Sequence, residues 1–267
     1  MLVVIVPLRL ESSRIPRKIL AQIDGTTVAA RVLKRLERCL SGFPDIRLFA
    51  AVDAPEVGSH LATEVPGVQT ILTSPELKSG TDRVYAAYGH LLAEGLVQAT
   101  EVEAVVNVQG DMPFLSESAL VEFLRDVRER AKSSTGCLVT ISESWPKDQS
   151  YDDRAAVKVL CDQARRALYF SRHPIPYSRK SREEAQGEAD AEFHVGVYAF
   201  TGETLRQFAE SPATRLEETE GLEQLRALWL GIPIYVLKTE YESTSSFRGI
   251  DVPEDLAWAR AFATKGK

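Results

Sequence analysis

Apolar positions along this chain follow two periods, and the order in which they alternate predicts the architecture. The chain begins Leu2-Val3-Val4-Ile5-Val6, a continuous β-branched run bounded by Pro7. Such a run reads as a strand buried on both faces, as in a parallel sheet. Residues 27–40 then place Val28, Val32, Leu33, Leu36 and Leu40 at helical spacing. Residues 46–52 read as a second strand ending at Asp53. A short helix over 55–64, a strand over 68–72 and a helix from Thr81 to Leu92 follow. The run over 102–108 is another buried strand, leading into Gln109-Gly110-Asp111, and a helix over 116–131 and a strand over 137–141 come next. Strands alternating with helices predict βαβ units, right-handed crossovers and a mostly parallel sheet flanked by helices, an α/β fold.

The second half is less regular. Short β-like pieces occur near 156–161, 166–170 and 193–200. The stretch from Arg179 to Ala191 is polar and charged and reads as a mobile loop. Residues 215–230 read as one amphipathic helix with Leu216, Leu222, Leu225 and Leu228 on its apolar side. A strand over 233–238 and a helix over 253–263 complete the pattern. With no Gly/Ser/Pro-rich linker in between, residues 1–267 are expected to form one domain carrying a small β-rich patch.

Composition narrows the function. With 267 residues, 44% hydrophobic and 26% charged, the chain has enough apolar material for a full core, which argues against extended disorder. Its net charge of −6 disfavours nucleic acid and anionic membranes as partners. The first 20 residues reverse that sign: Arg9, Arg14, Arg17 and Lys18 face only Glu11, a local net of +3. Cys39, Cys137 and Cys161 are odd in number and far apart, which excludes a disulfide framework and points to free thiols in a reducing cytoplasm. The apolar start at Leu2 to Val6 is too short for a signal segment, and no run reaches transmembrane length.

In open parallel sheets ligands bind at the carboxyl ends of strands, and the informative segments fall there. Pro7 to Lys18 follows the first strand and gathers cations, hydroxyls and loop N–H groups, a set suited to a polyphosphate. It carries neither a P-loop nor a G-x-G-x-x-G fingerprint, and a solvated basic loop fits the charge equally well. Asp111, at the end of the strand over 102–108, is placed to hold Mg2+ or to cap a turn. Asp251, in Gly249-Ile250-Asp251-Val252-Pro253-Glu254-Asp255, is placed to cap the last helix, with an oxygen left for a metal. Ser79-Gly80-Thr81-Asp82-Arg83 opens a helix, with Ser79 or Thr81 as its N-cap or as a phosphate contact. Unaided, His194 and Tyr198 read as buried structural residues, Glu223 and Gln224 as the solvated face of a helix, and Arg226 as structural. No residue stands out as a general base.

Taken in order, these segments resemble the 3-deoxy-manno-octulosonate cytidylyltransferases (CMP-Kdo synthetases). The resemblance runs over nearly the whole chain. It rests on Ser13-Arg14-Ile15-Pro16-Arg17-Lys18, Ser79-Gly80-Thr81-Asp82-Arg83, Val106-Asn107-Val108-Gln109-Gly110-Asp111, Ala156-Val157-Lys158-Val159, and Ala167-Leu168-Tyr169-Phe170-Ser171-Arg172 before Ile175-Pro176. It continues through His194-Val195-Gly196-Val197-Tyr198, Leu222-Glu223-Gln224-Leu225-Arg226 and Asp251-Val252-Pro253-Glu254-Asp255-Leu256.

The resemblance implies a Rossmann-like nucleotidyltransferase fold. Residues 1–150 would form the nucleotide-binding half, 151–250 a sugar-binding and dimerisation segment, and 251–267 a C-terminal helix. It implies CTP near Leu8, Arg9, Ser13, Arg14, Lys18, Ser79, Gly80, Thr81 and Gln109, with Arg17 adding charge to the phosphate loop. Mg2+ would be held by Asp111 and Asp251, and Lys18 would act with them. The acceptor would be an eight-carbon sugar acid gripped by Gln109, Arg172, His194, Tyr198, Glu223 and Gln224. The implied enzyme is a cytoplasmic homodimer serving lipopolysaccharide synthesis, with no membrane insertion and no nucleic acid. The chain departs from the family pattern at Leu77-Lys78, where His is usual shortly before Ser-Gly-Thr, at Met112, where Glu is usual, and at Arg17, where Gly is usual. These departures bear on the acceptor, Kdo or an 8-amino variant. The alternatives are another sugar nucleotidyltransferase, such as a CMP-sialic acid synthetase, and a nucleotide-binding protein without catalysis.

Overall fold

A computed structural model describes residues 1–12, 14–133, 136–146, 149–177, 179, 191–240 and 248–265. The backbone forms two compact units. One comprises Met1–Arg128 with Glu242–Lys267, the other Glu129–Tyr241.

In the first unit the opening apolar run becomes β1 (Leu2–Leu8), buried at every position, two residues longer than the run bounded by Pro7. It lies between two parallel partners, where both faces of such a strand need apolar cover. β1 is parallel to β4 (Ile46–Val52) on one side and to β6 (Ala104–Asn107) on the other, and β4 is parallel to β5 (Gln69–Leu72). Between β1 and β4 lie a two-residue hairpin, β2 (Gln22–Ile23) with β3 (Thr26–Thr27), and α1 (Val28–Leu40). The hairpin turns on Asp24 and Gly25, both at positive φ, the conformation that an Asp-Gly pair favours. α2 (Pro55–Glu64) and α3 (Gly80–Ala93) are the crossovers back to the sheet, and α4 (Glu117–Ser133) follows β6. Thr27 caps α1 by accepting from Ala30 N–H.

The last helix of the chain, α8 (Pro253–Lys265), also belongs to this unit. Its Trp258 and Phe262 stack around Phe114 with centroids 5.9 and 4.8 Å away, over Ile15, Ile23, Val28 and Ile250. That cluster fastens the end of the chain to the loop after β1.

In the second unit β7 (Leu138–Glu143) is the middle strand. It pairs in parallel with β11 (Ile234–Thr239) and antiparallel with β10 (Glu192–Phe200). β10 continues antiparallel to β8 (Lys158–Cys161), and β8 to β9 (Ala167–Ser171). A register shift between Val195 and Tyr198 interrupts the β10–β7 ladder. The expected β-rich patch is this antiparallel part. The polar stretch of residues 180–190, expected as a mobile loop, lies outside the described residues.

The single amphipathic helix expected over 215–230 is two helices, α6 (Arg215–Glu220) and α7 (Gln224–Trp229), and a further helix, α5 (Gly202–Glu210), precedes them. Gly221 at φ +62° ends α6 in the left-handed region, which an interior helical residue cannot occupy. The break turns the chain so that Arg226 comes back on Glu217 in a bidentate pair, Nη2 to Oε1 at 2.5 Å and Nε to Oε2 at 2.8 Å, both side chains buried. Arg226 is therefore structural, as read.

Gly110 fixes how closely the β6 end can approach the β1 end. A Cβ added there would lie 2.8 Å from the Pro7 carbonyl oxygen and collide with Leu8 Cδ2. Gly110→Ala is expected to destabilise the fold by about 2 kcal/mol through overpacking, read as a lowered midpoint in urea denaturation.

Candidate active site

Three backbone segments converge at the carboxyl end of β1: the loop after β1, the turn after β6, and the segment leading into α8. Ile250 N–H donates to the Asp111 carbonyl at 3.0 Å, which sets the two aspartates side by side. Gly249 lies against Asp111, and a Cβ there would meet Oδ1 at an ordinary contact distance of 3.5 Å. The cap of α8 is made by Asp255. Its Oδ2 accepts from Asp251 N–H at 2.9 Å and Val252 N–H at 3.0 Å, while Arg248 holds its Oδ1. Burial alone would raise the Asp255 pKa, but these N–H donors and Arg248 bring it below the usual carboxylate range. Asp251 is thereby released from the capping role expected for it, and its carboxylate turns to Lys18 and Arg14, 3.5 and 3.7 Å away.

Lys18 Nζ also lies 2.6 Å from Asp111 Oδ2. Burial disfavours its charge, yet the two aspartates outweigh that and hold its pKa above the ordinary lysine value. A cleft of about 480 Å3 opens over this group, lined by Arg9, Arg14, Lys18, Ser79, Gly80 and Gln109 together with Asp111 and Asp251. Ser79 caps α3 in a capping box with Asp82. Gly80 lets the helix start lie against Gln109, whose Oε1 would be 3.2 Å from an added Cβ. The helix N-terminus thus faces one cavity with Arg9, Arg14 and Lys18, an arrangement that binds polyanions.

Several expected contacts are placed differently. Thr81 is fully buried and its Oγ1 accepts from Asn107 Nδ2 at 3.1 Å, so its side chain braces β6 beneath the cleft instead of facing a ligand. Leu8 is buried under Gly110, which leaves only its backbone for a ligand. Arg17 does not join the cleft. It sits at φ +54°, the region that favours glycine, and its guanidinium pairs with Glu56 of α2. Ser13 lies outside the described residues.

The sequence reading passed over Arg83 and Asp53. Arg83 is buried with its Nη2 3.6 Å from Asp53 Oδ2, and its Nη1 donates to Thr73 Oγ1 at 2.6 Å. Asp53 Oδ1 accepts from Leu10 N–H at 2.9 Å. One buried ion pair therefore ties α3 and the end of β4 to the start of the loop after β1. The signal was a carboxylate closing the strand over 46–52 and an arginine inside Ser79–Arg83. Of the departures, Leu77 lines the cleft and Met112 is buried.

The expected acceptor residues gather in the second unit, Gln109 excepted. Tyr198 OH donates to Gln224 Oε1 at 3.1 Å, and the His194 ring lies 5.7 Å from that of Tyr198. Gln224 Nε2 is buried with no protein partner among the described residues, a donor left for a ligand. Burial pushes the Tyr198 phenol up, with Glu223 adding to the effect, and pushes His194 down to about 3. Glu223 and Gln224 open α7, where the Gly221 break puts them. Arg172 is anchored from three sides, donating to the carbonyls of Glu220 at 2.8 Å, Arg154 at 3.0 Å and Gly221 at 3.1 Å. It borders a cavity of about 460 Å3 with Arg154, His173 and Glu220. Lys158 lies fully buried beneath, donating to the carbonyls of Asp153, Ala156 and Arg172.

Among the described residues no group of three or more His, Cys, Asp and Glu side chains could form an all-protein metal cage. Two carboxylates that already share one cation do fit Mg2+, which takes one or two carboxylates and completes its shell with water and phosphate oxygens. No described helix is long and apolar enough to cross a membrane.

The profile of a family described as cytidylyltransferase matches residues 3–236. The 3-deoxy-manno-octulosonate cytidylyltransferase of Chlorobium luteolum is 36% identical over 262 residues, 97% of this chain and 96% of that protein. Its counterpart from Neisseria meningitidis serogroup C is 35% identical over 264 residues, 97% of this chain and 96% of its own. A solved CMP:2-keto-3-deoxy-manno-octonic acid synthetase complexed with CTP superposes with a TM-score of 0.82 at 28% identity, over 100% of this chain and 99% of that one. A 4-diphosphocytidyl-2C-methyl-D-erythritol synthase from Anaerococcus prevotii, at TM-score 0.57 and 14% identity over 98% of both chains, shares the fold alone. The chain is a nucleotidyltransferase of α/β architecture, and it belongs to the 3-deoxy-manno-octulosonate cytidylyltransferase family.

Proposed function

We propose that this protein transfers CMP from CTP to Kdo, an eight-carbon 2-keto-3-deoxy sugar acid, and releases pyrophosphate. The observation that carries this reading is the meeting of Arg9, Arg14 and Lys18 with Asp111 and Asp251 at the carboxyl end of β1. A pure nucleotide binder needs the cations; transfer also needs a way to offset charge on the phosphate that is attacked. The protein would act in the cytoplasm as a homodimer, its product serving lipopolysaccharide assembly.

Arg9, Arg14, Lys18 and the N–H groups at the start of α3 bind the triphosphate and offset its charge. Asp111 and Asp251 would hold Mg2+, which when bound lowers the energy of the charge developing on the α-phosphate. In the second unit the acceptor meets neutral donors and one fixed cation. Arg172, locked by three carbonyls, presents a planar fork to the sugar carboxylate. The Gln224 amide offers its unpaired N–H groups. Thr140 Oγ1 faces two carbonyl acceptors, Val197 O at 2.8 Å and Val195 O at 3.1 Å, and in the tautomer protonated on Nε2 the His194 ring donates to it at 3.0 Å. That tautomer leaves Nδ1 as an acceptor for a sugar hydroxyl, and the low pKa keeps the ring neutral at working pH.

The direct test is pyrophosphate release from CTP, Mg2+ and Kdo together, with loss on omission of any one. Asp111→Asn and Asp251→Asn are each expected to lower kcat by at least about 100-fold with unchanged circular dichroism. Near-normal turnover in both would refute the metal assignment, and CTP binding by calorimetry with no release on any sugar acid would make the protein a binder. The departures at Leu77 and Met112 bear on the acceptor, which we read as Kdo or its 8-amino variant. Parallel kcat/KM values for the two decide between them, and with a sialic acid they test the neighbouring activity.

His194 generates a pH prediction. Its folded pKa of about 3 lies below the unfolded value near 6.5, so between those limits the unfolded chain binds the extra proton. This contribution to stability is complete above about pH 6.5 and is lost as pH falls toward 3. The wild-type minus His194→Gln difference in denaturation free energy should therefore shrink from pH 7 to pH 4. A constant difference would mean that folding leaves the titration of the ring unchanged.

A further inference from the structure

One cation already bridges the two carboxylates assigned to the metal. The Lys18 ammonium lies 2.6 Å from Asp111 Oδ2 and 3.5 Å from Asp251 Oδ1. Its side chain is 14% exposed against 57% for Asp251, so this charge is largely withdrawn from water and rests on those oxygens. The residue opens a short 3-10 turn, Lys18–Leu20, which the buried Ile19 anchors beneath the cleft. Arg14 reaches Asp251 alone, at 3.7 Å, and from an exposed position. A divalent cation held by the same two carboxylates would stand next to the Lys18 ammonium, where like charges in a partly desolvated site repel strongly. Either the ammonium leaves or the metal binds weakly. The cleft provides a reason to leave, since a triphosphate lying along Arg9 and Arg14 offers Lys18 oxygens of its own.

We propose that Lys18 is an internal counter-cation that competes with the divalent metal for Asp111 and Asp251, and that it yields them at far lower metal concentration when a triphosphate gives its ammonium another anionic partner. The inference rests on the nucleotide and metal reading above and adds an order to it. Metal and nucleotide bind with positive coupling, and each raises the affinity of the other by the same factor. Lys18 is then a positioning residue twice over, holding two like-charged carboxylates together before the metal arrives and a phosphate afterwards.

The test reads metal affinity without turnover. Mn2+ is titrated into the full chain alone and its free form followed by electron paramagnetic resonance. Lys18→Met is expected to tighten Mn2+ by about tenfold, because removing the ammonium removes an adjacent repulsive charge. Lys78→Met removes the same charge from the same cleft wall and is expected to change Mn2+ affinity by less than about twofold, since an exposed charge is screened. Adding CTP should tighten Mn2+ in the wild type and do so much less in Lys18→Met. No gain in Lys18→Met, or an equal gain in Lys78→Met, overturns the proposal. A wild-type measurement stands beside these in case the variant folds poorly. Saturating Mg2+ without nucleotide should move the 15Nζ resonance of Lys18, and a resonance unmoved by bound Mg2+ overturns the competition. Because neither readout involves a sugar acid, a failed pyrophosphate assay with an intact Lys18 effect would remove the transfer reading and leave the metal competition standing.

Discussion

Opposite charges have to be held together at the carboxyl end of β1, and most of the first unit can be read as the means of doing so. The cations and carboxylates that line one cleft would scatter if each followed its own hydration. The chain prevents this with backbone. Gly110 lets the β6 turn lie against Pro7, and Ile250 N–H fixes the α8 entry to the Asp111 carbonyl. Asp255 takes over the helix cap so that Asp251 keeps a carboxylate for the cleft. Below them the Arg83–Asp53 pair binds the loop start to α3, at a depth where losing either partner would leave an uncompensated buried charge.

The second unit solves a different problem with neutral groups. For the acceptor we propose, a sugar acid with one charge and many hydroxyls, recognition needs donors and acceptors whose protonation does not wander. Burial provides that: it keeps His194 and Tyr198 uncharged, with Thr140 Oγ1 beside the imidazole Nε2. The register shift in β10 and the glycine break before α7 bring Tyr198, Gln224 and His194 into one cluster.

Much of this was legible in the sequence where local physics dominates. The buried strands, the crossovers and the cation-rich loop follow from composition over short windows. Asp111 was legible as a carboxylate at the end of a buried strand, open to a metal or a turn cap, and only the family resemblance chose between them. What escaped was set by single backbone angles or by distant partners. The periodicity across 215–230 is continuous, and only the positive φ at Gly221 splits it. Arg17 carries the same charge as its neighbours, but its left-handed backbone aims it at Glu56. Thr81 looks like a phosphate contact until Asn107 is seen to claim it. His194 and Tyr198 are buried, as their residue types suggest, and their association with Gln224 was available only through the family resemblance.

The aromatic clasp of Trp258 and Phe262 on Phe114 makes the spacing of two carboxylates depend on an apolar contact. Asp111 is carried by the turn after β6 and Asp251 by the segment that enters α8, so the two share one place only while α8 stays packed over Ile15, Ile23 and Ile250. A substitution that loosens this packing touches no charged group, yet it would be felt in the cleft as a parting of like charges from the cation between them.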